Sequence, residues 1–537
     1  MLHNLHSVTD KHTVQTRSVR TPTDRESPRD LLLQSIYTFW QKLYRQTHKR
    51  ITMKNYFFFL ALLLACLNGR AQTNFGNEWG TCFGYKFNFN TSPLTHDPFF
   101  LNNGYTYFTV SSSCVSDSSG YIVLQCDGGD IVNRNSVHIE NGDSIIPFEI
   151  MKRYQGYGRS SQASIILPME NKKYYVFTPT VSDSFYTNVW LNKPSLNWNF
   201  DLLLYHVVDM NLNGGQGKVI EKKKVLTQNK PLKKSMMMAC RHANGKDWWL
   251  LKMAGDTNMV YTFLVKQDTI LPYPNQGIPF PNVWINDLYG QMKFSKDGTK
   301  WATTCAGATE YNYGKPYIYV ADFDRCTGQL SGFKRFESPV WIDTNNLGLE
   351  FSPNGQLLYV SKYNVIQQLD LTTETWFNVH GPDTNAFCGY VSLHLGPDDK
   401  IYITRFDGIC KDFSYISNPN AKGAACNFCP NCLRSKTNSR FHGLPTMPNY
   451  ELGASGQSCW PLMNEEVAGN NTSWEVYPNP AQGVVYIKHK DGKTKRLYNT
   501  LGQLLDETHS TLFDVSRLSK GIYFVQCDGE MKKVVVE

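Results

Sequence analysis

One phrase recurs down the middle of the chain and limits what it can fold into: a small or polar turn followed at once by an apolar strand. It reads SDSSGYIVLQC around Gly120, PMENKKYYVFTP around Asn171, HANGKDWWLLKM around Gly245, FSKDGTKWATTC around Gly298, FSPNGQLLYVS around Gly355 and LGPDDKIYIT around Asp399. Successive turns lie 51, 74, 53, 57 and 44 residues apart. Asn, Asp and Gly tolerate the positive φ that tight hairpin turns demand. The strands that follow are apolar on both faces, which suits strands packed between neighbouring sheets. Strand–turn–strand content on a period of ~40–50 residues points to the blades of a β-propeller. Further strands fit the scheme at 199–210, in GKVIEKKKVLT after it, and at 317–330. Six inner anchors are visible. A blade built jointly by the first and last segments, with GLPTMPNYELG (443–453) as its closing strand, makes seven. The expected fold is therefore all-β, a propeller of seven blades (six being the alternative) over 79–455.

Composition supports strands. Aromatic residues make up 13% of the chain, with 30 Tyr and 30 Phe, and such side chains suit a pleated, half-buried surface. At 537 residues the chain exceeds what one core holds, about 250–300 residues. The net charge of +8 concentrates at one end: residues 1–52 carry 9 Lys/Arg and 4 Asp/Glu. The remainder is near neutral and shows no basic stripe, so nucleic acid is not expected as a partner.

Residues 1–52 are polar and patternless at first, and are expected to be a disordered, mis-assigned extension. MKNYFFFLALLLACLNGRAQT, from Met53, has the layout of a secretory signal peptide. Lys54 supplies the positive charge, and 56–65 an apolar run too short to span a bilayer. Small residues lead to a cleavage site between Ala71 and Gln72. Two alternatives are a cytoplasmic tail before a membrane anchor, and a lipobox in LLAC with Cys66 lipidated.

Cysteine use fits export. Of 14 Cys, Cys66 leaves with the signal, and the odd remainder leaves at least one thiol unpaired. The cluster Cys426, Cys429, Cys432 in CNFCPNC reads as a loop disulfide, with Cys410 or Cys459 as further partners. A metal site would need a fourth ligand, for which His442 is the nearest candidate. No metal and no cofactor is expected.

After the repeats comes a small, polar linker, 456–473, and then a compact module over 474–537. Pro478-Asn479-Pro480 fixes an extended start. VVYIKHK alternates with period two, Gly502 divides two strand halves, and FDVSRLSKGIYFVQC places a turn before a buried strand. The reading is a small antiparallel, immunoglobulin-like β-sandwich.

These motifs carry three resemblances. FSPNGQLLYVS resembles the blade signature of tryptophan–aspartate-repeat-like propellers. HANGKDWWLL, LLYHVVDMNLNGGQGKVIEK and ISNPNAKGAACNF with GLPTMPNY resemble an N-terminal propeller of large exported proteins from gliding and anaerobic Gram-negative bacteria. That family has no established activity, so it implies a fold and no reaction. It carries plain polar residues where this chain inserts Cys429 and Cys432. The last module resembles the type A C-terminal sorting domain of the type IX (Por) secretion system. The matching positions are Pro478, Asn479, Pro480, Gly502, Asp514, Leu518, Gly521, Tyr523 and Lys532 or Lys533. That resemblance implies passage through the periplasm and across the outer membrane, with the secretion machinery and its sortase as partners. The tail is then removed, and the cargo is released or attached to surface lipopolysaccharide.

Zincin, Walker, dinucleotide and nucleophile-elbow patterns do not occur. GYGRSS at 156–161 opens no helix pattern, and the acid pairs Asp322/Asp324 and Asp398/Asp399 read as turn residues. His242 is a candidate for a central channel, and Trp248 and Trp249 for packing between blades or for stacking on sugar. No catalytic residue is assigned. The expected function is recognition of a protein or glycan by an exported, cell-surface or secreted propeller. The alternative is a hydrolase or lyase acting on polysaccharide or peptide at the channel mouth.

Overall fold

The computed structural model describes residues 74–537 apart from 82–84, 99–111, 151–161, 193–198, 256, 281–289, 306–307, 310–311, 314–316, 340–347, 363, 382–388, 407–411, 435, 437–442, 457–458, 460–473, 489–493, 500–502 and 528–529. Cys66, Ala71, Gln72, Cys410, His442, Gly502 and the 156–161 loop lie outside the described residues. The described residues belong to one compact unit, Thr73–Glu537. No helix among the described residues is long and apolar enough to cross a membrane.

The chain is all-β and is organised as many small antiparallel sheets. The first holds Glu78–Thr81, Tyr85–Asn88 and Thr95–Pro98, and the second Ser113–Ser116, Ile122–Cys126 and Ile131–Asn133. A seven-stranded sheet follows: Ile165–Pro168, Lys173–Thr180, Phe200–Asp209, Lys218–Arg241, Trp248–Ala254, Met259–Val265 and Ile270–Gly277. Its central strand of 24 residues belongs to two neighbourhoods. Lys218 to Leu232 pairs with Phe200–Asp209, and Leu232 to Arg241 pairs with Trp248–Ala254. Three four-stranded sheets follow in chain order. The fourth holds Met292–Phe294, Lys300–Cys305, Tyr317–Phe323 and Leu330–Glu337; a short hairpin, Ala308–Thr309 with Asn312–Tyr313, stands apart from it. The fifth holds Leu349–Phe351, Leu357–Lys362, Val365–Asp370 and Thr375–His380. The sixth holds Gly389–Leu395, Ile401–Phe406, Asp412–Ile416 and Phe428–Arg434.

Burial falls from the first strand to the last in each of these six sheets except the second, which stays buried through Ile131–Asn133. Trp248–Ala254 and Leu357–Lys362 are buried at every position, whereas Ile270–Gly277 and Thr375–His380 are largely exposed. This explains the double-sided apolar runs in the sequence: the inner strands are covered on both faces by adjacent sheets. All six turn anchors take positive φ, Gly120 (84°), Asn171 (58°), Gly245 (75°), Gly298 (73°), Gly355 (68°) and Asp399 (60°). At Gly298 a second constraint applies, since a Cβ would lie 2.7 Å from Leu452 and 2.8 Å from the Cys240 sulfur.

Segment 443–455 departs from its expected role as a closing strand. It forms one isolated parallel bridge, Pro445 to Ser112, and no strand. Pro445 and Pro448 have no N–H to donate, so a ladder cannot continue through them. The segment runs instead among the sheets, with Leu444, Met447 and Tyr450 buried. Leu444 N donates to Ser392 Oγ (3.2 Å) and Thr446 N to the Ser112 carbonyl (2.6 Å). The Tyr450 hydroxyl donates to the carbonyls of Cys114 (3.1 Å) and Ile166 (2.8 Å), and its ring meets Trp248 edge-on. Asn449 Nδ2 donates to the Lys296 carbonyl (2.7 Å), and Ser455 N to that of Ala243 (2.9 Å). One short stretch thus ties together the second, third, fourth and sixth sheets.

The last 64 residues form two further sheets. One holds Glu475–Tyr477, Val484–Lys488 and Leu512–Asp514; the other has the order Leu504–Thr508, Lys495–Tyr498, Gly521–Cys527, Glu530–Val536. They share a core of their own, including Trp474, Ile487, Phe513, Val525 and Val534.

Candidate functional site

The polar chemistry of the body is mostly spent on holding sheets together. Gln162 Oε1 accepts from Met237 N (3.2 Å) and Met292 N (3.0 Å), and Gln291 Oε1 from Leu349 N (2.9 Å) and Leu393 N (3.1 Å). Each amide therefore stitches strands of adjacent sheets: Gln162 links the long strand Lys218–Arg241 to Met292–Phe294, and Gln291 links Leu349–Phe351 to Gly389–Leu395. The sequence reading missed a buried triad, Lys293, Glu350 and His394, set on the first strands of the fourth, fifth and sixth sheets. Lys293 Nζ donates to Glu350 Oε2 (2.6 Å) and to His394 Nδ1 (2.9 Å), and the His394 ring lies 4.8 Å from that of Trp79. Glu350 also accepts from Leu395 N (3.1 Å). Burial pushes the Glu350 carboxyl up, but Lys293 and His394 outweigh it and hold it below its ordinary value. Burial, helped by Lys293, lowers His394 to about 4, so its ring is neutral and Nδ1 can accept.

The residues singled out as possible chemistry are occupied. His242 lies in the turn after Lys218–Arg241, where Nδ1 accepts from Asn244 N (3.0 Å) and Nε2 is 3.1 Å from the Cys326 carbonyl. Trp248 and Trp249 are fully buried, their Nε1 groups donating to the carbonyls of Pro168 (3.2 Å) and Arg325 (2.8 Å). That burial leaves neither face open for a sugar. Asp322 pairs with Lys300, Asp324 receives Cys326 N and the Thr327 hydroxyl, Asp398 pairs with Lys400 and Tyr402, and Asp399 with Lys296.

Cys429 and Cys432 are joined, while Cys426 beside them is a buried thiol. Cys459 bonds to Cys326 instead of to that cluster. The two cystines differ in what they restrain. Closing a loop across 133 residues is worth about 5 kcal/mol in the chain-entropy account, against about 2 kcal/mol for a separation of 3.

In the last module the motif residues mostly fasten the final strand. The Asn479 carboxamide donates to the Lys533 carbonyl (2.9 Å) and accepts from Val535 N (2.8 Å), so it pairs as a peptide group of a neighbouring strand would. Ala481 N then donates to the Val535 carbonyl (2.7 Å), and Glu537 N to that of Ala481 (3.0 Å). Pro478 and Pro480, which flank Asn479, have no N–H to leave unpaired. Asp514 Oδ1 accepts from the Ser516 hydroxyl (2.6 Å) and N (2.9 Å), which lowers its carboxyl. Leu518 packs against the module's core, and the Tyr523 hydroxyl donates to the Ser519 carbonyl (2.8 Å). Lys532 Nζ donates to the Trp474 carbonyl (2.6 Å) and lies 5.0 Å from the centre of its ring. Gly521 opens the strand Gly521–Cys527.

Residues 475–537 match the family described as the secretion system C-terminal sorting domain. The tail is a sorting domain. It sends the chain through the type IX system to the cell surface or the medium. The secretion machinery is accordingly a partner of the sorting domain. No curated protein matched the sequence. Among solved structures, the extracellular domain assigned to a hybrid two-component system from B. thetaiotaomicron is similar at 9% identity, TM-score 0.34, over 80% of this chain and 57% of that one. A functionally unknown protein from Desulfotomaculum acetoxidans is similar at 11% identity, TM-score 0.32, over 56% of this chain and 83% of that one. Apo AztD from Citrobacter koseri is similar at 12% identity, TM-score 0.30, over 60% and 71%.

One expectation concerns the sorting domain's internal bonds. Replacing Asn479 by Ala removes two bonds to the final strand and leaves the Val535 amide without that partner. Amide exchange at Lys533 to Val535 in the full chain should quicken by about ten- to a hundredfold, the equivalent of ~1–3 kcal/mol. Unchanged protection there would show that Asn479 does not hold the strand.

Proposed function

We propose that residues 79–455 are a seven-bladed β-propeller that binds a protein or glycan partner outside the cell. The linker 456–473 joins it to the sorting domain, taken as 474–537, and a signal peptide at 53–71, cleaved between Ala71 and Gln72, starts the export route. A sortase of the secretion machinery removes the tail, and membrane association is limited to surface attachment afterwards. The observation that carries the reading is packing between the first and sixth sheets. Trp79 lies against His394 and Tyr402 (5.5 Å between ring centres), and Phe87 against Phe413 (4.7 Å, edge-on). Contacts between consecutive sheets supply the rest of a ring, and dividing the long strand 218–241 gives seven sectors. The positive-φ turns and the burial gradient across five of the six sheets agree with this reading.

Binding is favoured over catalysis because segment 443–450 occupies the middle of the sheets and the inner triad is self-satisfied. An enzyme of this architecture would need titratable groups free to meet a substrate at the channel mouth. Purified full-length chain applied to a glycan array, and crosslinked on whole cells, tests the proposal. Saturable capture of one glycan or protein class is the expected result. Turnover of a polysaccharide or peptide by the same preparation would overturn it in favour of a hydrolase or lyase.

A further inference from the structure

Neither the sorting domain nor a recognition role uses the sequence Cys429-Pro430-Asn431-Cys432. We propose that the Cys429–Cys432 cystine is a redox site that exchanges with external thiols, oxidising a dithiol to a disulfide.

Four features of the fold carry this, none of them dependent on blade number. The cystine sits on Phe428–Arg434, the outermost strand of the sixth sheet, with Cys432 exposed and Cys429 half-buried. The ladder slips there: Tyr415 pairs with Cys429 and Phe413 with Leu433, so residues 430–432 stand opposite Ser414 alone. That bulge presents the sulfurs outside the regular pairing. The bulge is also held without the sulfur–sulfur bond. Asn431 N donates to Ser414 Oγ (3.0 Å), and Arg405 Nη1 donates to Asn431 Oδ1 (2.9 Å). The strand can therefore keep its place when the bond opens. Finally, the residue that Arg405 holds, Asn431, stands between the two cysteines in sequence, so the guanidinium anchors the short loop from the strand Ile401–Phe406 and not through the sulfurs. The contrast within the same chain is sharp: Cys114, Cys126, Cys240, Cys426 and Cys527 are buried thiols, closed to such exchange.

The chemistry needs no cofactor. A partner thiolate attacks the exposed Cys432 sulfur, the cystine bond breaks, and Cys429 leaves as a thiolate that takes up a proton. The partner's second thiolate then attacks its own sulfur in the mixed disulfide and releases Cys432. Two electrons and two protons pass from dithiol to cystine, and the partner ends as a disulfide. The thiols could belong to glutathione-like small molecules or to an unfolded exported protein; the chemistry is shared.

Glutathione buffers of graded ratio, followed by alkylation and peptide mass analysis of the full chain, test the site. Cys429–Cys432 should open at a reduced-to-oxidised ratio about tenfold or more below that needed for Cys326–Cys459, whose loop is far longer. In the Cys429→Ser chain the Cys432 thiolate should attack a disulfide and keep one half as a mixed disulfide while the other half leaves as a thiol, with oxidised glutathione in one arm and unfolded ribonuclease A bearing scrambled disulfides in the other. Adducts in the glutathione arm alone assign a small-thiol substrate, and adducts in both arms admit protein dithiols. The proposal fails if both cystines open together, if Cys432 forms no adduct, or if a Cys429→Ser/Cys432→Ser chain oxidises these thiols as fast as the parent.

Discussion

Deleting residues 475–537 should leave the protein in the periplasm, with the surface and medium fractions reduced to background. The deletion takes away a sorting domain whose hydrophobic cluster is its own. The core running from Trp79 to Val536 falls into separate groups, and the group built on Trp474, Val485, Phe513 and Val525 contains no body residue. Cutting there removes about sixty residues without opening a cavity in the sheets upstream. A truncated chain that accumulates folded, with unchanged melting of the body, would mark the loss as one of sorting. Arrival of the truncated chain at the surface in normal amount would mean that a second export signal lies elsewhere. The converse arm is a fusion of 456–537 to an unrelated signal-peptide-bearing passenger, which should reach the medium.

Much of this architecture was legible because its signals are local. A turn needing positive φ has few residue choices, so Gly120, Gly298 and Gly355 declare themselves without any knowledge of their neighbours. The final module was legible for a similar reason, since its motif residues hold short-range turns and one strand edge. Long-range partnerships were not. Cys326 and Cys459 are 133 residues apart, and nothing local links them. The path of 443–455 depends on distant groups, six of which accept its hydrogen bonds. One distant feature did leave a trace. Lys293, Glu350 and His394 each stand five positions before a turn anchor, Gly298, Gly355 and Asp399. Ionisable residues at one offset in three successive repeats, two of them of opposite charge, are what adjacent first strands need in order to meet. The corresponding position before Gly245 is Cys240, before Asn171 Ile166 and before Gly120 Val115, so the triad is confined to three sheets.

Replacing Glu350 by Ala should destabilise the body by about 3–5 kcal/mol, because it leaves the Lys293 ammonium buried without its anion. Side-chain exposure is 6% for Lys293 and 5% for Glu350, so water cannot substitute. The loss belongs to the unpaired charge rather than to the pair. A Lys293→Met/Glu350→Leu chain should therefore recover most of the stability, and recovery separates an electrostatic cause from a cavity. The pH dependence has a definite sign. His394 is lowered to about 4, so the unfolded chain takes up that proton first as pH falls below about 6.5. Its contribution is complete above that point and disappears as pH falls through 4. Glu350, also lowered, adds to the same trend once pH passes below the ordinary carboxylate range of about 4.3. Denaturant midpoints of the full chain should thus decline between pH 6.5 and 4. In His394→Leu that decline should be shallower, since no imidazole remains to charge on unfolding. An equally steep fall in His394→Leu would place the acid sensitivity elsewhere in the body and remove the triad from the account of its stability.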